Sequence, residues 1–278
     1  MNATKAFFAA EWQASAPAWP RWIAAFRQQT RCATDLLLEL AAIEPGMRVL
    51  DLASGVGEPA LELALRVGAR GQVVATDLVP GPLQFCAAEA RRRALSQLYT
   101  LHADMEALPF RSASCDAVTC RLGVMFCPDS VCALAQVRRV LRRGGSATFV
   151  VWGDPSQPLF DATLGELQRD ASFRAPALNQ LGPFRYARPG VLAAALEQAG
   201  FHDVRSLERV VPWPWPGDAL EMWAAWLDLA GPSFATAVAA VARECPDPDA
   251  RVVARLRRYQ QLACTDPSAV LIGVAGRA

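Results

Sequence analysis

The stretch VLDLASGVGEPA, residues 49–60, decides the fold of this 278-residue chain. Its apolar beginning predicts a buried strand that ends at a turn built around Gly55 and Gly57. Glycine permits a tight, partly left-handed turn and lets the backbone approach a ligand closely. An apolar helix, predicted over residues 59–67, follows the turn and points its free N–H groups into the same space. Strand, turn and helix in this order indicate a site for a nucleotide-type cofactor.

The glycine turn is compatible with two classes of cofactor. Residues 55–60 satisfy the dinucleotide pattern G-x-G-x-x-G/A, and Asp77 follows at the end of a second predicted strand, where a ribose-binding carboxylate belongs. Asp51 lies shortly before the first glycine, where its charge would repel a pyrophosphate but suit a ligand with an ammonium group. We therefore favour a cofactor without phosphates and keep a nicotinamide dinucleotide as the alternative.

Size and composition describe one enlarged α/β domain with ample material for a core, since 53% of the 278 residues are hydrophobic and 20% are charged. The net charge of +1 provides no overall field that would attract nucleic acid or a membrane surface. Arginines gather in predicted helices or at their C-terminal ends, at 91–93, 138–143 and 255–258. We interpret them as solvated helix faces and expect no nucleic-acid partner.

The N-terminal region and the cysteines indicate a cytoplasmic protein. Lys5, Glu11, Pro17 and Arg21 interrupt any apolar run, so the region does not resemble a signal peptide. No stretch approaches the ~20 apolar residues that span a bilayer. The cysteines form no C-x-x-C pair and are accompanied by only two histidines, so we expect free thiols and no metal site. The eight cysteines are Cys32, Cys86, Cys115, Cys120, Cys127, Cys132, Cys245 and Cys264.

Alternating strands and helices predict a parallel sheet with helices on both faces. Ligands of such sheets bind beyond the carboxyl ends of the strands. Asp51, Asp77, Asp104 and Arg121 all fall at those ends, and this agreement is the strongest physical argument in the sequence. The expected strands are 48–53, 72–77, 99–103, 116–120 and 146–151, and the helices between them are 59–67, 81–94 and 130–142.

We interpret the regions on either side of this core as covers. Trp12, Trp19, Trp22 and Phe26 approximate helical spacing within an aromatic-rich helical cap over residues 1–44. Prolines make residues 154–186 irregular, and they make 212–216 a stiff connector. The remaining elements are predicted as a helix ending near 199, a strand at 203–211, helices at 218–230, 233–243 and 247–263, and a final strand at 269–274.

The motifs resemble those of the class I S-adenosylmethionine-dependent methyltransferases, in particular the branch that contains the ubiquinone and menaquinone C-methyltransferases and many small-molecule enzymes. The resemblance implies a Rossmann-like, doubly wound α/β sheet of seven strands in the order 3-2-1-4-5-7-6, with the last-inserted strand antiparallel. It implies a cofactor-binding core over 45–153, with 154–278 as covering segment, helical insertion and final strands of the same sheet. The matching segments are 51–57, 73–77, 104–110, 115–118 and 139–145.

The resemblance also implies which residues hold the amino-acid end of S-adenosylmethionine. Asp51, with the backbone of Ala53, Gly55 and Gly57, is expected to hold the methionine moiety and its ammonium group. Arg121, directly after the fourth strand, is expected near the sulfonium. For Arg121 the alternative is a purely structural ion pair with Asp116 or Asp129.

For the adenosine half, the resemblance assigns one acid to each of the next two strand ends. Asp77 is expected to accept hydrogen bonds from both ribose hydroxyls, which an anion does well because both donors are neutral. Asp104 is expected to bind the adenine amino group, while Leu78 and Met105 pack on the faces of the ring. A turn-forming or helix-capping role is the alternative for each single acid.

Methyl transfer by direct in-line displacement requires little of the protein beyond orientation and a dry pocket. No catalytic base is assigned: His102 is expected in the core and His202 in a loop, and Tyr186 and Asp154 lack support. The acceptor is expected to be a small hydrophobic or aromatic metabolite, methylated on carbon, oxygen or nitrogen. Eight tryptophans favour such an acceptor, although half of them could belong to the core.

Other functions stay open. A nicotinamide-dependent oxidoreductase would use the same glycine turn, although Asp51 and Asp104 have no role in dinucleotide binding. A non-catalytic, methyltransferase-like subunit would bind a protein or RNA through its arginine-rich helices. An arsenite methyltransferase would hold a metalloid through Cys120 and Cys127, although their spacing is unlike that branch. The oligomeric state is not fixed by the sequence, and a homodimer is one option.

Overall fold

The structure is a computed structural model that describes residues 2–170, 172–175, 177–178, 180–245, 247–263 and 269–278. Within them, seven strands form one sheet: β1 (Arg48–Leu52), β2 (Gln72–Asp77), β3 (Leu98–His102), β4 (Cys115–Arg121), β5 (Leu141–Trp152), β6 (His202–Val211) and β7 (Ala269–Arg277). The strand order is β3-β2-β1-β4-β5-β7-β6, which confirms the predicted doubly wound architecture.

The first five strands run parallel, and the pairing of β1 with its two neighbours sets the register of the site. Asp51 of β1 lies opposite Ala75 of β2 and Thr119 of β4. β7 pairs antiparallel with β5 and with β6, so the last-inserted strand has the expected direction. Because parallel strands end at one edge of a sheet, the residues that follow β1 to β4 lie at a common edge.

The fifth strand begins at Leu141, earlier than the predicted start at residue 146. Helix α6 (Ser130–Val140) ends directly before it, and Leu141 pairs with Cys115 of β4. The register then shifts between Cys115 and Ala117, and the regular ladder starts only at Ser146. The sequence therefore predicts the regular part of β5 and misses its irregular beginning.

Helices cover the sheet and build both ends of the chain. The N-terminal residues form α1 (Ala3–Ser15), α2 (Trp19–Gln29) and α3 (Arg31–Ala41), followed between the strands by α4 (Ala60–Val67), α5 (Pro80–Arg92) and α6. The segment after β5 holds the short α7 (Pro158–Phe160), and α8 (Val191–Gln198) precedes β6. The predicted insertion between β6 and β7 consists of α9 (Ala219–Leu229), α10 (Pro232–Glu244) and α11 (Pro248–Ala263). Among the described residues, no helix is both long and apolar enough to cross a bilayer.

Two apolar cores lie on the two faces of the sheet. Along β1, Val49 belongs to one core, while Leu50 and Leu52 belong to the other. Successive side chains of a strand point to opposite faces, so Asp51 and Thr119 face the same side as Val49. That side is the one covered by α2, α3 and α4, whose apolar residues share the core with Val49. The N-terminal helices and Asp51 thus meet on one face.

Helix α3 is fixed to the sheet through a row of leucines. Leu36 and Leu37 are buried. Gly273 of β7 makes the close approach possible, because a Cβ at that position would lie 2.4 Å from Cδ1 of Leu40. The sheet and the N-terminal helices therefore share one packed core.

Half of the tryptophans belong to the core. Trp22, Trp213, Trp215 and Trp223 are buried. Trp213 packs edge-on against Trp152 at the end of β5, with ring centroids 4.9 Å apart. These rings join the insertion to the sheet, so only partly buried tryptophans can serve as the expected aromatic walls. Those are Trp12, Trp19, Trp152 and Trp226.

We expect Leu36→Ala to lower the free energy of unfolding by about 2–5 kcal/mol, because it removes a buried side chain and leaves a cavity. Leu65→Ala is the matched control, since Leu65 is 54% exposed and its loss should change stability by no more than about 0.5 kcal/mol. Urea unfolding followed by circular dichroism measures both changes. Equal effects would contradict the packing of α3 into the core.

Candidate functional site

The turn after β1 adopts a backbone conformation that favours glycine. Gly55 and Gly57 have φ values of +52° and +101°, and Ala53 also has a positive φ of +50°. The amide of Gly57 donates to the carbonyl of Ser54 at 2.8 Å and closes the turn. A Cβ on Gly55 would meet no heavy atom within 4 Å, so open space borders the turn at this residue. A ligand can therefore approach the backbone there.

A further glycine, which sequence reasoning missed, allows the ends of β1 and β4 to meet. A Cβ on Gly123 would lie 2.4 Å from the Cβ of Ala53, so any side chain would displace the turn. The available signal was a glycine two residues beyond Arg121, just after a predicted strand. Gly123 thus supports the turn from the neighbouring strand.

The carboxylate of Asp51 is enclosed at the base of the turn. Its side chain is 0% exposed, Oδ1 accepts a hydrogen bond from the Thr119 hydroxyl at 2.6 Å, and Oδ2 has no partner among the described residues. Burial raises the pKa of Asp51 to about 6, although the hydrogen bond from Thr119 opposes the shift. A ligand ammonium would supply both the missing donor and the opposite charge.

Asp77, at the end of β2, ties that strand to the turn. Its Oδ2 accepts from the amide of Gly55 and its Oδ1 from the amide of Val79, both at 2.9 Å. Burial raises the pKa of Asp77 despite these hydrogen bonds. Each carboxylate oxygen has a second lone pair, so Asp77 can still accept from a ligand hydroxyl.

Asp104 and Glu106, in the loop after β3, bind the ammonium of Lys5 from α1. The Nζ atom lies 2.6 Å from Oδ2 of Asp104 and also contacts Oε2 of Glu106. Burial alone would lower the pKa of Lys5, but hydrogen bonds to the two acids outweigh it and raise the pKa. Sequence reasoning assigned no role to Lys5 or Glu106, although Lys5 is the only lysine in the chain. The ion pairs anchor α1 over this strand end.

Arg121 lies beneath α2 at the end of β4 and is 8% exposed. Its guanidinium donates to the carbonyls of Glu58 at 3.3 Å and Thr30 at 3.4 Å, and it lies 5.9 Å from the ring centroid of Phe26. Burial lowers the pKa of Arg121. A second contact joins α2 to the glycine turn, because Arg27 of α2 forms an ion pair with the carboxylate of Glu58. One end of α2 is therefore fixed directly over the glycine turn.

Two comparisons with known proteins identify the family. Residues 50–149 match the family model of the methyltransferase domain. The ubiquinone/menaquinone biosynthesis C-methyltransferase of Rhizobium etli is 31% identical over 172 residues, which cover 58% of this chain and 67% of the relative. The chain belongs to the class I S-adenosylmethionine-dependent methyltransferases. The dinucleotide interpretation of the glycine turn is thereby replaced.

Other known proteins resemble this methyltransferase over different shares of its length. An uncharacterised protein of Mycobacterium tuberculosis is 40% identical over 117 residues, which cover 42% of this chain. The chain spans only 41% of that relative's length. Phosphoethanolamine N-methyltransferase 2 of Haemonchus contortus, solved with S-adenosyl-L-methionine, has a TM-score of 0.58 at 14% identity. That likeness concerns the fold, and it covers 92% of this chain and 56% of the other.

The residues of the methyltransferase fit the cofactor of its family. S-adenosylmethionine carries an ammonium group, and Oδ2 of Asp51 is a buried acceptor without a donor among the described residues. The open space beside Gly55 gives the backbone of the turn access to a ligand. Both features match an amino-acid end held between β1 and its turn.

The four candidate bases gain no support from their surroundings. The expectation that His102 lies in the core is wrong: the residue is exposed, with Nε2 2.8 Å from the carbonyl of Leu78, because β3 is an edge strand. The expectation that His202 lies in a loop is also wrong, because His202 is the first residue of β6 and pairs with Arg277 of β7. There it lines a cavity of about 590 Å³. Tyr186 is buried in an apolar core, and Asp154 accepts from a backbone amide within its own turn.

The cysteines do not favour a metalloid site. In the described part of the chain seven cysteines are free, and Cys264 lies outside it. Burial raises the pKa of Cys120 to about 12 and also raises the pKa of Cys127. The thiolate is the form that binds metals and metalloids, so these buried thiols are poor ligands. Within the described residues, no three His, Cys, Asp or Glu side chains are grouped to hold a metal ion.

We expect Asp51→Asn to stabilise the ligand-free methyltransferase at neutral pH by up to about 3 kcal/mol, because Asn removes a buried charge. The folded-state pKa of about 6 lies above the unfolded value of 3.8, so the folded state binds the proton more tightly. Stability therefore falls as the pH rises between these two values. Asn can still accept the hydrogen bond from Thr119.

Urea unfolding of both proteins near pH 4 and pH 7 tests this assignment, since the difference should appear only at the higher pH. Asp116→Asn is a control, because Asp116 lies at the amino end of β4, away from the glycine turn, and pairs with Arg142. A stabilisation by Asp51→Asn of the same size at both pH values would contradict a buried charge at Asp51.

Proposed function

We propose that the protein transfers a methyl group from S-adenosylmethionine to a small-molecule acceptor. The observation that carries the proposal is the enclosed Asp51 carboxylate, whose Oδ2 has no donor among the described residues and lies beside an open glycine turn. The cofactor supplies a methyl group on a sulfonium that is primed to release it. The protein then contributes orientation and the exclusion of water.

The proposed cofactor contacts follow the strand ends. Asp51 and the backbone of the turn, at Ala53, Gly55 and Gly57, hold the amino-acid end. Asp77 accepts from the ribose hydroxyls while keeping its bonds to the backbone amides. Support comes from the parallel register, which brings the end of β1 beside the end of β2.

For the adenine ring, we propose Asp104 as acceptor of the amino group and the partly buried Leu78 and Met105 as ring contacts. Lys5 already binds one oxygen of Asp104, but that oxygen can accept a second donor. Lys5 also bonds to Glu106, so its ammonium would retain an acidic partner if Asp104 bound a ligand. The ammonium of Lys5 therefore lies beside the proposed adenine site.

The acceptor that we propose is hydrophobic or aromatic in part. The cap over 1–44 places Phe8 and Trp12 of α1 against Phe126, which follows β4. Residues 154–278 complete the cover over the core of 45–153. The Rhizobium relative is named for quinone biosynthesis, which agrees with a flat, partly apolar acceptor. No side chain is proposed as base.

Isothermal titration with S-adenosylhomocysteine and with NADH tests the cofactor class. We expect the homocysteine product to bind and NADH to give no heat of binding. Binding of NADH alone would overturn the proposal. Incubation of metabolite extracts with methyl-labelled cofactor then separates an enzyme from a non-catalytic binding subunit, because only an enzyme yields a labelled product.

Asp77→Asn should raise the dissociation constant of S-adenosylhomocysteine about 10- to 100-fold, since a charge-assisted bond to the ribose is lost. Asp116→Asn makes the same change at the amino end of β4, away from the glycine turn. It should leave the dissociation constant of S-adenosylhomocysteine unaltered. Titration calorimetry measures both variants. Equal affinities of the two would argue against a ribose role for Asp77.

A further inference from the structure

The first feature of this site is the charge of Arg121, which is buried at the end of β4. No carboxylate of the described residues forms an ion pair with it, and Glu58 and Asp51 attract it only through space. Its two hydrogen bonds, at 3.3 and 3.4 Å, go to uncharged backbone carbonyls. A buried charge is costly unless a partner compensates it. The guanidinium of Arg121 could therefore form an ion pair with an anionic ligand without first breaking one within the described residues.

A second donor lies beside it on α2. Trp22, Phe26 and Gln29 are spaced by four and three residues, so they share one face of this helix. Arg121 contacts that face at the ring of Phe26 and at the carbonyl of Thr30, the residue after Gln29. Gln29 is 5% exposed, and its Nε2 has no hydrogen-bond partner among the described residues. An amide donor without a partner among the described residues therefore lies on the helix face that the guanidinium contacts.

The matching acceptor lies on the same face of the sheet. Thr119 donates to Oδ1 of Asp51, and Arg121 follows Thr119 by two residues along β4. Residues two apart in a strand point the same way and are separated by roughly 7 Å. Oδ2 of Asp51 is thus an acceptor without a donor among the described residues, and it lies close enough to Arg121 for the two charges to attract each other. A ligand that carries both an ammonium and a carboxylate complements this pair.

We propose that Arg121 and Gln29 bind the carboxylate of the cofactor's amino-acid end, while Asp51 binds its ammonium. The assignment rests on the proposed function and extends it to a residue of the cap, Gln29, that no motif indicates. It makes the site selective for a zwitterionic ligand over one that has lost its carboxylate. It also makes the cap part of the cofactor site, because Gln29 belongs to α2.

Titration calorimetry with two ligands tests the proposal. S-adenosylhomocysteine carries the carboxylate, and its decarboxylated analogue has hydrogen in that position. We expect the wild type to bind the first at least about tenfold more tightly, the equivalent of one charge-assisted hydrogen bond. Gln29→Leu should weaken binding of S-adenosylhomocysteine by about tenfold and leave binding of the analogue unchanged.

Gln28→Leu is the matched control, because Gln28 is the exposed neighbour on the same helix. It should leave both dissociation constants at the wild-type values. Arg121→Lys keeps a cation without the forked donors and should lose more affinity for S-adenosylhomocysteine than for the analogue. Gln29→Leu removes a buried donor that bonds to no described residue, so urea unfolding should show the variant to be at least as stable as the wild type.

Each result has a distinct meaning. Equal losses for both ligands in Gln29→Leu would assign Gln29 a purely structural role and overturn the proposal. A wild type that does not distinguish the two ligands would overturn it as well. If neither ligand binds the wild type, the proposed function itself fails, and this outcome is separate from a loss confined to the variants.

Discussion

The parallel pairing of β1 with β2 and β4 is the constraint on which the rest of the site depends. It places Asp51 opposite Thr119, and the hydroxyl of Thr119 orients the buried carboxylate. It also brings Asp77 within reach of the amide of Gly55. Backbone ladders are strong and regular, so groups from separate strands are held without flexible loops. The glycine turn then only has to leave its backbone accessible.

The cap is held onto this edge by charged groups rather than by apolar packing alone. Lys5 binds the loop after β3, and Arg27 pairs with Glu58 in the glycine turn. Arg121 donates to a carbonyl at the end of α2. These contacts come from both α1 and α2, so they fix the cap over the strand ends at more than one point.

The site also leaves polar groups unsatisfied, which lowers the stability of the ligand-free protein. Oδ2 of Asp51 and Nε2 of Gln29 lack partners among the described residues. Buried polar groups normally find a hydrogen bond, and exceptions concentrate where function requires them. Arg121 adds a cation that forms no ion pair with a described residue. A turn with a purely structural role would not need this combination of an acceptor, a donor and a cation.

Periodicity and glycine turns are local signals, so the sequence was enough to predict the alternation of strands and helices and the three acids at successive strand ends. The order of the seven strands followed from the resemblance to the methyltransferase family. The hydrogen-bond and ion-pair partners of those acids come from other elements of the fold, so they became known only from the structure. Lys5 lies 99 residues from Asp104 in the chain, and no local sequence pattern predicts that contact. The same holds for His102, whose exposure follows from the position of β3 at the sheet edge. Contacts between distant residues depend on how elements pack, which composition and spacing do not encode.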